Sequence, residues 1–521
     1  MLQELPAVRL KGSDMKDIAF KDLIFYEIYP NSFKDSDGDG YGDIPGIISK
    51  LDYVAGLGFN AIWLNPCYES PFRDGGYDIT DPFNVARRFG TNEDLKELFH
   101  QAHARGMKVF LDLVPGHMST QNPRFINSGK AYTNPDSNLF IWSDNVWDAW
   151  KDAHLISGCY QRFGCYYVNF FGHQPAINYG FNKITSPSWQ KPWKEVTSGR
   201  EYLESIMEYW LKFGADGFRV DMADSLVKND DKKTATIELW NIIRKDLDSK
   251  GVKKFYMTSE WSNPKQAFKA GFDSDFVLDH ENNCYHYLFR QNKNRSKPLL
   301  EKYDESLYSK FVVDLNQRIR AAKRYNKQLS FISGNHDTWR IANFLKGDSL
   351  KLAYLFLFTA PGVPYVYYGD EIGMTTDTSM PSIEGGYQRT GSRLPMRFDS
   401  SKNAGFSSSD TLFLPTNQSD STVEEAVKDK ESLLNLIVKL IKLRKEESDL
   451  RSYDFSLLTS KLAYRRGKIK VFMNLFDSDQ KINLSREHDC LLSIGDFYMD
   501  GLNYVLKPHA GIIIKEKDYE K

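Results

Sequence analysis

Three stretches of the chain repeat one pattern of apolar and polar positions. Between Thr91 and Arg105, residues Leu95, Leu98, Phe99 and Ala102 recur at helical spacing, with Thr91 as N-cap and Gly106 as stop, and the apolar run KVFLDLV follows. Leu51 to Leu57 ends at Gly58 before NAIWLNP, and Arg200 to Phe213 ends at Gly214 before GFRVDM. Helix alternating with strand predicts parallel pairing. Further strands are expected in LIFYEIYP (23–30), KFYMTSEW (254–261), SDFVLDH (274–280), LSFISGNHD (329–337) and VPYVYYGDEIG (363–373). Eight strands with helices between them argue for an α/β fold of the (β/α)8 barrel type, a doubly wound open sheet being the alternative.

Two segments break the pattern. Residues 118–182, between the third and fourth strands, are rich in Asn, Gly, Pro and aromatics and read as an inserted small domain, with Trp142, Trp147 and Trp150 expected in its core. A last helix over 431–447 carries SLLNLIVKLIKL, and short strands such as KIKVFMNLF follow. The expected partition is a barrel of 1–117 and 183–447, an insert of 118–182, and an antiparallel C-terminal β-sandwich of 448–521.

Composition narrows the function classes. The 521 residues are 41% hydrophobic and 26% charged with a net charge of -1, so neither a nucleic acid nor an anionic membrane surface is an expected partner. No apolar run fits a signal peptide or a membrane span, which makes the cytoplasm the expected compartment. The five cysteines (Cys67, Cys159, Cys165, Cys284, Cys490) have no metal-ligand spacing and suit free thiols, with no disulfide expected between Cys159 and Cys165.

Charged residues collect where the strands end. In GFRVDM the alternation sets Arg219 and Asp221 on the face opposite Phe218, Val220 and Met222. Asp112 and His117 close the third strand, Glu260 the fifth, and His336 with Asp337 the seventh, while Tyr77 and Asp78 follow the second. That rim is the catalytic face of a barrel. Arg219 is expected to hold Asp221 ionised, as a carboxylate nucleophile requires. Three carboxylates at one mouth suit retaining glycoside cleavage, in which one carboxylate attacks the anomeric carbon and a carboxyl about 5 Å away serves the leaving oxygen.

These residues resemble the α-amylase superfamily, glycoside hydrolase family 13, closest in pattern to its oligo-1,6-glucosidase and α-glucosidase members. The resemblance spans nearly the whole chain: GYDITDP (76–82), DLVPGH (112–117), QPAIN (174–178), GFRVDMADS (217–225), SEW (259–261) and GNHD (334–337). It implies Asp221 as nucleophile, Glu260 as acid/base and Asp337 as a third carboxylate on the sugar hydroxyls. Tyr77 would stack on the glucose ring, with His117, Arg219 and His336 around it, and Asp78 would close the pocket, paired with Arg393. Gly116 and Ala176 stand where many α-amylases carry calcium ligands between barrel and insert, so that site is expected to be missing. Asp224 and Ser225 replace the Lys and His of endo-amylases. Hydrolysis of short α-glucosides, endo-action on starch or maltodextrins, and trehalose- or sucrose-active glucosyl transfer remain open. A catalytically silent transporter subunit is disfavoured by the intact carboxylates. The expected partner is an oligosaccharide substrate, and the expected state a monomer or small homo-oligomer.

The loop DSDGDGYGD places Asp35, Asp37, Asp39 and Asp43 near alternate positions, with the Tyr41 carbonyl among them. Such oxygens suit a hard cation, although Gly46 at position twelve excludes an EF-hand. The resemblance implies calcium here, in a structural role. Trp339, two residues past Asp337, is a candidate wall for the leaving-group side.

Overall fold

Each of the three predicted helices ends at its glycine. The helix Asn92–Ala104 opens with a capping box between Thr91 and Asp94, and Gly106 follows at φ 76°. The helix Leu51–Leu57 has Gly58 as its left-handed cap. At Gly214 (φ 136°) a side chain would be strained and would also meet Phe99, an added Cβ falling 2.8 Å from Cδ2. The tight stop delivers the chain straight into a strand. The computed structural model describes residues 18–144, 146–147, 154–158, 160–290, 297–458, 462–484 and 487–517.

All eight expected strands form one closed parallel barrel. They are β1 (Phe25–Ile28), β2 (Ala61–Leu64), β3 (Lys108–Leu113), β4 (Gly217–Val220), β5 (Tyr256–Ser259), β6 (Ser274–Val277), β7 (Gln328–Ile332) and β8 (Val363–Tyr367), each paired with its sequence neighbours and β8 with β1. The open sheet is excluded. Register fixes what shares a level: Asp112 is the partner of Arg219, and Arg219 of Thr258. Aromatic side chains fill the barrel beneath that level, Phe25 stacking on Tyr365 at 4.1 Å and Trp63 lying 5.3 Å from Phe276. Phe20 stops the opposite end against Phe25, Phe110 and Tyr256. Charge therefore has one place to go, the rim at the strands' C-terminal ends.

Between β3 and β4 lies a small antiparallel sheet of Trp142–Ser143, Leu155–Ser157 and Cys165–Tyr167. Trp142 is buried there, packed on Phe125, Tyr160 and Tyr166. Trp147 corrects the expectation, being 90% exposed, and Trp150 lies outside the described residues. After the last barrel helix, Leu433–Glu446, come a five-stranded and a three-stranded antiparallel sheet. Phe472, Ile512 and Ile514 of one share a core with Ile482, Tyr504 and Leu506 of the other. Cys67, Cys165, Cys284 and Cys490 are free thiols; Cys159 lies outside the described residues.

Candidate active site

Arg219 is a hub. Its Nη1 donates to Asp112 Oδ1 at 2.8 Å and to Asp221 Oδ1 at 3.0 Å, and its Nη2 lies 2.8 Å from Glu260 Oε2. Asp112 is held in turn by the Trp63 indole (3.1 Å) and the Tyr77 hydroxyl (2.8 Å). One buried cation lies among three carboxylates, so the cluster would carry an excess of negative charge with all three ionised. Burial, then the charge of Glu260, push the Asp221 carboxyl well above its usual range against the pull of Arg219, and a hydrogen bond joins the two carboxyls. Burial and Glu260 thus oppose the expected ionisation of Asp221, while Arg219 favours it. The guanidinium orients Asp221.

Asp337 sits across the mouth in the opposite electrostatic state. Arg389 Nη1 reaches its Oδ1 at 2.7 Å, Arg393 Nη2 the same oxygen at 3.1 Å, and His336 Nε2 lies 3.2 Å from Oδ2. Burial alone would raise this carboxyl; the His336 imidazolium, with Arg389 and Arg393, overrides it and holds the group well below the carboxylate range. Arg389 also bonds Asp74 at 3.0 Å, and the buried Gln174 amide donates to the other Asp74 oxygen at 2.7 Å. Asp74, Arg389, Asp337 and Arg393 form one continuous ionic strip. Here the structure differs from expectation: Asp78 does not pair with Arg393 but accepts from Ser70 Oγ and the N–H groups of Arg73 and Asp74, shaping the turn that presents Asp74.

Behind Asp337, His336 Nδ1 lies 3.0 Å from Glu27 Oε1 and 3.0 Å from the Asn65 amide, and Tyr77 stacks on its ring at 5.1 Å. Burial would lower the imidazole, but Asp337 and Glu27 raise it to about 9. The unfolded imidazole titrates near about 6.5. A folded pKa raised in this way gives stability that is fully present below about 6.5 and lost as pH rises through about 9. Glu27, pushed by burial up to about 7 against the pull of His336, acts in the same sense over a lower window. Thermal midpoints should fall between about pH 6.5 and 9, and His336→Gln should flatten that fall. Equal slopes in the two proteins would sink the assignment.

The pocket over these groups has a volume of about 350 Å³ and is walled by Tyr77, His117, Phe170, Phe171, Met222 and Tyr387 besides the carboxylates. His117 is buried, and burial lowers it to about 3 against a backbone hydrogen bond at Tyr77, so it lines the pocket as a neutral imidazole. Trp339 is not part of this wall. It stacks on Phe344 and donates to the Gln388 carbonyl, while Phe171 of the insert and Tyr387, stacked at 5.7 Å, line the pocket. A larger cleft of about 520 Å³, between the last barrel helix and the C-terminal sheet, contains none of these carboxylates.

Comparison with known proteins agrees with this geometry. The sequence matches the family described as "Alpha amylase, catalytic domain" over residues 27–453. The chain belongs to the α-amylase family. As a member it is a glycoside hydrolase of the α-glucosidase type, acting on α-glucosides by hydrolysis or transfer. It is 30% identical to a glucan 1,6-alpha-glucosidase of Streptococcus pneumoniae, over 90% of this chain and 94% of that one, and 30% identical to an oligo-1,6-glucosidase of Parageobacillus thermoglucosidasius, over 87% and 88%. The fold is also that of the trehalulose synthase MutB of Pseudomonas mesoacidophila (TM-score 0.78, 24% identity, 96% of this chain and 99% of that one).

Two sites bear on metals in this α-amylase family member. Where calcium ligands were expected to be missing, Lys228 places its ammonium 2.8 Å from Asn169 Oδ1 and 2.6 Å from the Ser225 carbonyl, while the Asn169 amide donates to the Gly116 carbonyl at 2.7 Å. A buried lysine, lowered by burial to about 7, thus joins insert to barrel through these hydrogen bonds. In the other, Asp35, Asp37 and Asp39 offer carboxylate oxygens within 4.8 Å of one another and could hold a metal ion. The nearby Lys34 ammonium donates instead to the carbonyls of Gly405 and Phe406. Asp43 stands outside this group, capping the helix Ile44–Ser49 through the Gly46 N–H at 2.6 Å and bonding Ser36.

Proposed function

We propose that the protein is an exo-acting α-glucosidase that hydrolyses short α-glucosides with retention of configuration. Asp221 Oδ attacks the anomeric carbon as the glycosidic bond breaks, and Glu260, acting as the acid, gives its proton to the leaving oxygen. Glu260 then takes a proton from water, which attacks the glucosyl ester and frees Asp221. Arg219 fixes Asp221 through both steps. Asp337, kept anionic by two arginines and His336, accepts from hydroxyls of the bound ring, and Tyr77 and His117 pack against it.

The ionic strip Asp74–Arg389–Asp337–Arg393 carries the exo reading: Asp74, Arg389 and Asp337 line the pocket, and the strip would block a longer chain from continuing beyond the ring. The test is a product time course on maltose, maltotriose, isomaltose, sucrose and soluble starch, with Asp221→Asn protein as blank. Glucose should appear first from the short sugars while starch is barely touched. Mixed maltooligosaccharides released rapidly from starch would mean an open cleft and an endo-amylase.

The loop of Asp35, Asp37, Asp39 and the Tyr41 carbonyl would hold calcium. The donor set is all hard oxygen, and a dication there would relieve the mutual repulsion of the carboxylates. The loop packs closely on a distant segment, an added Cβ at Gly40 falling 2.2 Å from the Thr411 carbonyl, so the ion would brace two parts of the chain. Exhaustive chelation should lower the melting temperature and calcium restore it; an unchanged melt would remove the ion from the reading.

A further inference from the structure

Asp275, on β6, is fully buried, and none of the steps above uses it. Its Cα is the register partner of Ser259 on the neighbouring strand. Its Oδ1 accepts from Ser259 Oγ at 2.7 Å and from the Ser262 N–H at 3.2 Å, and its carboxylate takes a further backbone bond from Trp261. These donors lie on both sides of Glu260. Ser262 has a φ of 57°, a left-handed conformation that serine adopts where the surroundings hold it. Arg318 clamps the same turn from outside, Nη1 bonding the Ser262 carbonyl at 3.1 Å and Nε bonding Asp314 at 2.8 Å.

Glu260 is fixed from the facing strand as well. Its N–H donates to the Val220 carbonyl at 3.0 Å, and its Oε2 accepts from the Met222 N–H at 3.0 Å. β4 thus supplies one jaw of the holder, and Asp275 with the 259–262 turn supplies the other.

We propose that Asp275 is a positioning residue for the acid/base step: through Ser259 and the Trp261–Ser262 turn it sets the direction in which Glu260 presents its carboxyl to the glycosidic oxygen. The inference rests on the reading of Glu260 as acid/base. The Ser259 and Ser262 bonds both fall on Oδ1, so they need one well-placed oxygen rather than a full charge. An asparagine can provide that oxygen.

The experiment compares kcat/KM on two substrates: the disaccharide cleaved fastest, whose leaving group needs a proton, and α-glucosyl fluoride, whose leaving group does not. Asp275→Ala should lose about ten- to a hundredfold on the disaccharide, the scale of a small misplacement of a reacting group, and little on the fluoride. Asp275→Asn should restore most of the loss, and Glu260→Gln should show the same split more strongly. Should Asp275→Ala fail to fold, Ser259→Ala removes one bond at nearly constant volume and should give the same split in weaker form. Equal losses on both substrates in the Asp275 and Ser259 variants, with the split intact in Glu260→Gln, would overturn the inference alone. No split in Glu260→Gln would overturn the acid/base reading and this inference with it.

Discussion

Asp221→Asn should lower kcat on a disaccharide by about four orders of magnitude, between about 5 and 6 kcal/mol of transition-state stabilisation by the usual ~1.36 kcal/mol per decade. The amide keeps the shape of the carboxyl and one oxygen for Arg219, but it cannot form the glucosyl ester. Stability should move the other way. Burial and Glu260 both disfavour a charge at Asp221 in the fold, so a neutral group at that position should leave the melting temperature unchanged or higher. Activity loss with an intact melt separates the nucleophile from a structural carboxylate. Turnover near the wild-type value would show that the assigned nucleophile is wrong.

Arg219→Leu has the second large effect, and it falls on stability and activity together. The guanidinium is the charged partner that Asp112, Asp221 and Glu260 share. Removing one member of a buried ion cluster leaves uncompensated charge, at about 3–5 kcal/mol. The leucine variant should melt at a lower temperature and lose activity as strongly as Asp221→Asn. Arg219→Lys separates the contributions, because one ammonium restores charge without the fork that spans three carboxylates. It should recover much of the melt and little of the turnover. Equal recovery of both would mean that charge alone, without bidentate geometry, organises the site.

Local rules made the barrel legible. Each of its eight strands is a short apolar run, and the three clearest are preceded by a helix whose glycine stop can be read from the sequence, one of them also by its N-cap, Thr91. The carboxylates at the strand ends were legible for the same reason, since a barrel leaves buried charge only one rim. Long-range pairing was not. Asp74 and Arg389 are 315 positions apart, and nothing local marks Asp74, rather than Asp78, as the residue facing the pocket. The spacing of Arg389 and Arg393, four positions apart on one turn, was a usable signal that both reach a common anion. Phe171 and Tyr387 meet only because the insert folds back over the mouth, so Trp339, adjacent in sequence to Asp337, looked the better wall. The electrostatic balance was also out of reach: that burial and Glu260 outweigh Arg219 at Asp221 depends on how many carboxylates share one guanidinium.

On the exo reading proposed above, the strip of Asp74, Arg389, Asp337 and Arg393 leaves the pocket with a single doorway. A chain held there cannot slide forward after cleavage, because there is no far side into which the next unit could advance. The truncated remainder must depart before glucose can follow it out, and every bond broken requires a fresh encounter. Degradation is then distributive, with intermediate lengths accumulating in solution, and the ceiling on the overall rate is set by how quickly glucose escapes through the opening by which its parent chain entered.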